Sequence, residues 1–215
     1  MKNKKKENPK KKLKQLPQGM IKIQESLLSL IANKNIIDIT TAEIAEKAGV
    51  TEGLIYKYFK NKRNLLYHVL RKYLEEYFNQ FEHDLKGIEG SLNKLRKLIW
   101  VHFHAYSSNR VFGRALIMAR NHESYYKSEN YDWEKSFGDR MLKILEEGVA
   151  NGEIIDSVSL KVIRQLILGS IENISFAAIM FNRELSSDTL TNELCTAIFS
   201  GISIDGSVAK NTMKE

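Results

Sequence analysis

No proline follows Pro17 in this chain of 215 residues, and the only other one, Pro9, lies closer still to the start. Proline removes a helical hydrogen bond and clashes with the turn before it, so its absence leaves everything after residue 17 free to be helix. Apolar residues recur at helical spacing from there to the end, and no long alternating stretch predicts a strand. Ile23, Leu27, Leu30 and Ile31 form one stripe. Leu65, Leu66, Val69, Leu70, Tyr73, Leu74 and Tyr77 form another, which predicts a long helix from near Asn61 past Phe78. Further helices are predicted at about 91–107, 110–122, 130–150, 159–182 and 187–201. The expected fold class is all-α, without internal repeats. Asn35 stands where a left-handed residue would close the first helix.

Charge divides the chain. Residues 1–72 carry 17 lysines and arginines against 6 acidic residues, a net of +11, whereas residues 73–215 carry 16 against 20, a net of −4. The front third is the part suited to a polyanion. Residues 1–18 form a lysine-rich arm with little to bury, which acts either as a solvated tail or as an added set of phosphate or minor-groove contacts. The single cysteine, Cys195, excludes an intrachain disulfide framework and fits a reducing compartment. The basic start is not followed by an apolar signal-peptide core, so the expected location is cytoplasmic. The most apolar segment, residues 160–181, carries Lys161, Arg164, Glu172 and Asn173, which argues against a membrane span.

The stretch TTAEIAEKAGVTEGLIYKYF, residues 40–59, carries the densest local information. Thr40 and Glu43 match a capping box that starts a helix. Ile44, Ala45 and Ala48 give that helix a small apolar side, and Gly49 ends it by taking a positive φ. Val50 is expected to plug the turn, and Thr51 to cap a second helix over 52–58. Ile55 and Phe59 face inward there, leaving Glu52, Gly53, Leu54, Tyr56 and Lys57 outward. This is the layout of a helix-turn-helix, whose second helix enters the major groove by its N-terminal end. Gly53 removes a side chain where backbone and DNA come close. Glu52 repels phosphates, so its value lies in selectivity, for instance by accepting a cytosine amino group.

Extended to TTAEIAEKAGVTEGLIYKYFKNKRNLL, the segment resembles the DNA-binding region of the TetR/AcrR family of bacterial transcriptional regulators, with the motif resemblance covering about residues 20–70. The resemblance implies an N-terminal three-helix DNA-binding domain at 19–65, a helical effector-binding and dimerisation domain at 66–205, and a flexible tail at 206–215. It also implies that Thr40 and Thr41 lie near phosphates, that Thr51, Glu52, Gly53, Leu54, Tyr56 and Lys57 belong to the recognition helix, and that Lys62 reaches a phosphate from the start of the fourth helix. Tyr56 and Tyr58 fill the family's aromatic positions. Asn35, Ile31 and Glu52 depart from the residues common there. The expected partners are double-stranded DNA with a palindromic operator, a small apolar or aromatic effector, and a second copy of the chain; no cofactor is implied.

In the body, residues 160–181 are apolar on more than one side and must be covered on more than one side. Leu166, Gly169, Ser170, Asn173 and Ala177, with Leu190, Leu194, Ala197 and Ile198 from the next helix, are the candidate dimer residues. Candidates for the effector site are His102, Phe103 and Tyr106 from one helix, Met118 and His122 from the next, and Trp133, Phe137 and Met141 from a third, with Phe176 closing it; the same aromatic and methionine stripe also reads as plain core. His102 and His104 lie two residues apart on a helix and point about 200° apart, which argues against a shared metal ion. No hydrolase elbow, P-loop or dinucleotide fingerprint occurs, so no catalysis is expected. Two functional readings stand: a ligand-released repressor, and a helical small-molecule binding protein whose basic front end is incidental.

Overall fold

The computed structural model describes residues 16–202; the arm as far as residue 15 and the tail after residue 202 lie outside the described residues. Among the described residues the chain forms nine α-helices: α1 Gln18–Ile31, α2 Thr41–Ala48, α3 Glu52–Tyr58, α4 Lys62–Asp84, α5 Ser91–Ser108, α6 Arg110–Arg120, α7 Glu129–Ala150, α8 Leu160–Met180 and α9 Ser187–Ile202. A short 3-10 helix, Glu123–Lys127, joins α6 to α7. The all-helical expectation therefore holds across the described residues.

The head is built from α1, α2, α3 and the start of α4. The α1 stripe of Ile23, Leu27 and Ile31 is fully buried, in one core with Ile39 of the α1–α2 loop, Ile44 of α2, Ile55 of α3, Phe59 just after it and Leu65 of α4. Two local details differ from the sequence reading. Asn35 does not take a positive φ; its Oδ1 accepts from the Ile37 amide at 3.2 Å, so it shapes the loop by a side-chain turn rather than by a left-handed cap. Thr40 accepts the Glu43 amide at 3.1 Å, but Glu43 turns to Lys34 at 2.5 Å instead of reaching back, so only half of the capping box forms. Lys34 lowers the Glu43 pKa first by hydrogen bonding and then by charge. Gly49 closes α2 at φ 65°, as its position predicts.

The 23-residue helix α4 belongs to both halves. Asn61 caps it by accepting the Asn64 amide at 2.8 Å; Leu65, Leu66 and Val69 are buried toward its start, and Leu74, Phe78 and Phe81 in the body. There α5 lies at the centre, packed against α4, α6, α7, α8 and α9. Close approach is allowed by Gly113, where a Cβ would stand 2.5 Å from Ile179 Cδ1 and 2.7 Å from Tyr106 Cδ1. By length and composition α8 could cross a membrane, but Ile163, Ile167, Ile171, Ser175, Ala178 and Ile179 are buried against the other body helices.

Candidate functional site

On the head, Thr41 at the start of α2 donates to Glu52 Oε2 at 2.7 Å and lies 3.3 Å from the Tyr56 hydroxyl, which ties the first turns of α2 and α3 together. Glu52, Gly53, Tyr56 and Lys57 are exposed along α3, with Tyr56 55% accessible, while Ile55 and Phe59 are buried beneath them. Three of the expected roles change. Thr51 occupies the N-cap of α3 with extended backbone but makes no side-chain cap bond. Leu54 is partly buried rather than outward, because its Cδ2 fills the space beside Gly19 on α1. Lys62 turns inward: its ammonium donates to the carbonyls of Ile37, at 3.3 Å, and of Ile39, so it closes the α1–α2 loop rather than extending toward a phosphate. Burial lowers its pKa, with Asp38 opposing.

In the body a cavity of about 430 Å³ lies among α4, α5, α6, α7 and α8. Leu74, Tyr77 and Phe78 of α4 form one wall; Phe112, Leu116, Phe137 and Leu168 complete its apolar lining. The exposed members of the lining, Lys135, Asp139, Gln165 and Glu172, lie on α7 and α8, which places the mouth there, with Arg164 beside it. At the polar end Arg120 bonds Glu134 at 2.9 Å, Glu172 at 3.2 Å and the Tyr106 hydroxyl at 3.5 Å. Burial opposes the Arg120 charge, but Tyr106, Glu134 and Glu172 hold its pKa well above the ordinary arginine value.

Of the residues expected to bind a ligand, His102, Tyr106 and Phe137 line this cavity. His102 Nδ1 meets the Tyr77 hydroxyl at 3.0 Å; burial, helped by Arg120, lowers the His102 pKa to about 3, and burial raises that of Tyr77, so the phenol donates to the ring nitrogen. His104 instead stacks on Trp100 at 4.7 Å, away from His102. Phe103 and Met141 are fully buried in the core, and Trp133 packs behind the wall on Phe78 at 5.3 Å. Met118 and His122 face a separate cleft of about 550 Å³ between the α1–α2 loop, the start of α4 and the end of α6. Phe176 is 44% exposed and does not line the cavity, although it lies one turn from the lining residue Glu172 on α8.

The sequence reading missed Arg120 and Glu134, and both carried a signal. Phe112, Leu116 and Arg120 recur every four residues, so the arginine ends an apolar stripe that points into the body. Glu134 lies one turn before Phe137 on the inward side of α7. From Glu134 a chain of contacts leads back to α4: it accepts from Tyr125 at 2.6 Å, Tyr125 packs edge-on against Tyr67 at 5.6 Å, and the Tyr67 hydroxyl meets Ser124 at 2.9 Å.

The outer face of α8 exposes Val162, Leu166, Gly169, Asn173 and Phe176, with Ser170 and Ala177 at its edge; on α9, Ala197 is exposed, and Leu190 and Ile198 are half-buried. Leu194 does not join this face: it is 9% accessible and turned into its own body.

A helix-turn-helix head carried on a long helix that continues into an all-helical body is the architecture of a DNA-binding transcriptional regulator. Residues 25–69 match the family of bacterial regulatory proteins called the tetR family, and residues 70–201 match the C-terminal region of YsiA-like proteins. The chain belongs to the TetR family, as a member with a YsiA-like body, and that family consists of regulators rather than enzymes. It is similar to the fatty acid metabolism regulator protein of Bacillus subtilis (strain 168), with 26% identity over 192 residues that cover 88% of this chain and 98% of that one. It is also similar to the HTH-type transcriptional repressor KstR2 of Mycolicibacterium smegmatis, 25% identical over 145 residues covering 65% of this chain and 69% of that protein. Among solved structures, FadR from Bacillus subtilis in complex with stearoyl-CoA has the same fold, with a TM-score of 0.74 at 24% identity over 85% of this chain and 98% of that one.

Proposed function

We propose that the protein is a dimeric repressor released from a palindromic operator when a long apolar molecule with a polar head enters the body cavity. The observation that carries this reading is that Leu74, Tyr77 and Phe78, which wall the cavity, belong to the same helix whose first turns pack into the head. An occupant that displaces this wall moves α4, and with it the spacing of the two recognition helices. The ligand must bind the displaced state better, since equal affinity shifts nothing. Fatty acyl thioesters are the favoured class: the apolar lining suits an acyl chain, and a relative of the same fold is bound to stearoyl-CoA. The second copy is placed on the exposed α8 face, which a monomer would leave in water. A cytoplasmic location accompanies this role.

A gel shift with the protein's own upstream DNA tests the reading. The expected result is a salt-sensitive, sequence-dependent shift by the ligand-free protein, abolished by a saturating long-chain acyl-CoA and unaffected by free coenzyme A. A shift that persists at saturation overturns the release mechanism. The absence of any sequence-dependent shift overturns DNA recognition and favours the small-molecule binding protein.

A further inference from the structure

The contacts that join α2 to α3 fix the direction of two protons, and that direction says what kind of base edge the recognition helix can read. A carboxylate only accepts hydrogen bonds, and a threonine hydroxyl has one proton to give. At 2.7 Å from Glu52 Oε2, Thr41 spends that proton on the carboxylate. The remaining contact, 3.3 Å between Thr41 Oγ1 and the Tyr56 hydroxyl, then runs from tyrosine to threonine, with Thr41 as acceptor. Both protons point inward along a chain from Tyr56 through Thr41 to Glu52. What α3 presents outward, one turn apart on its exposed side, is the free Glu52 Oε1 and the lone pairs of the Tyr56 oxygen. Neither has a proton to offer.

We propose that Glu52 and Tyr56 form an acceptor-only reading face, set by Thr41 as a positioning residue, that takes an exocyclic amino group in the major groove. Cytosine N4 and adenine N6 are the donors available there, whereas guanine offers only O6 and N7 and thymine offers O4 and a methyl group, all mismatched to an acceptor face. Gly53, between the two residues and open on the protein side, lets the helix approach closely enough for so short a contact. This assignment rests on the DNA-binding reading above and goes beyond it by naming the base edge and the residue that selects it from another helix.

The test is selection of bound duplexes from a randomised pool by the wild-type protein and by Thr41→Val, Thr41→Ser and Glu52→Ala, with thermal melts to confirm folding, followed by binding to the selected duplex carrying pyrimidin-2-one or purine, which lack the amino group, in place of its cytosine or adenine. The expected result is one base pair enriched by the wild type, about tenfold weaker wild-type binding when the amino group of that pair is removed, no such loss in Glu52→Ala, and relaxation at the same position in Thr41→Val. Thr41→Ser, which keeps the hydroxyl, restores the preference. Unchanged wild-type affinity for the selected duplex without that amino group overturns the proposal, as does Thr41→Val lowering affinity for all sequences alike while preferences stay intact. No enrichment by folded wild-type protein overturns DNA reading itself, and this assignment with it.

Discussion

An alanine at position 53 would meet only the Thr51 hydroxyl, at 3.9 Å, so nothing inside the protein requires glycine there. Gly53→Ala is therefore expected to stabilise the fold by about 0.5–1 kcal/mol while weakening operator binding, since helix propensity improves as the approach to DNA is obstructed. Melts and gel shifts on the same preparation measure both, and unchanged binding would detach this glycine from DNA recognition. His102 gives a pH signature. Its pKa falls to about 3 in the folded chain from an ordinary 6.5, because burial and the Arg120 charge both disfavour the imidazolium. Below pH 6.5 the unfolded chain takes up a proton that the folded chain refuses, so stability drops as pH falls from about 6.5 toward 3, by at most about 1.4 kcal/mol per pH unit from this group. His102→Gln is expected to flatten that slope in denaturant titrations at pH 7 and pH 5. Individual residues were legible in the sequence where one local rule acts alone, as at Gly49. They were not where a distant partner decides: Lys62 serves carbonyls more than twenty residues earlier in the chain, and Glu43 is drawn from its cap to Lys34.

Among the elements, α6 is held close to its neighbours at Gly113. Tyr106 and Ile179 crowd the position a side chain would need at Gly113, from α5 and α8. Gly113→Ala is expected to cost about 1–3 kcal/mol by forcing these helices apart, a loss that chemical denaturation will register. The helices themselves were readable because buried positions recur at a 3.6-residue period and no proline interrupts them. Their ends were less so. The predicted helix at about 110–122 stops at Arg120, where His122 accepts the Ser124 amide at 3.1 Å and starts the 3-10 segment. No glycine or proline marks that change. Periodicity also cannot tell which buried stripe faces a hole: Phe103 and Phe137 look alike in sequence, and the gap between α4 and α7 alone makes the second a cavity residue.

For the whole molecule, the α8 face and the link from cavity to head make separate demands. A side chain at Gly169 would meet nothing within 4 Å, so Gly169→Arg should leave the subunit folded while placing a charge on the apolar face. The expected outcome is a folded monomer by light scattering with operator affinity lost; a dimer of wild-type stability would move the interface elsewhere. Tyr125→Phe removes the bond to Glu134 but keeps the ring against Tyr67. It is expected to leave acyl-CoA binding in place and to raise the concentration needed for release from DNA by severalfold, as read by gel shift in parallel with equilibrium dialysis. Assembly and coupling could not be read from the chain alone, because both depend on which exposed or buried faces adjoin, and Phe176 shows how a single aromatic changes meaning with the side of the helix it occupies. The chain also holds two tryptophans, Trp100 half-buried and stacked on His104, and Trp133 stacked on the cavity residue Phe78. With Trp100 replaced by phenylalanine, the remaining fluorophore sits directly behind the cavity wall, so its emission follows occupancy without a label.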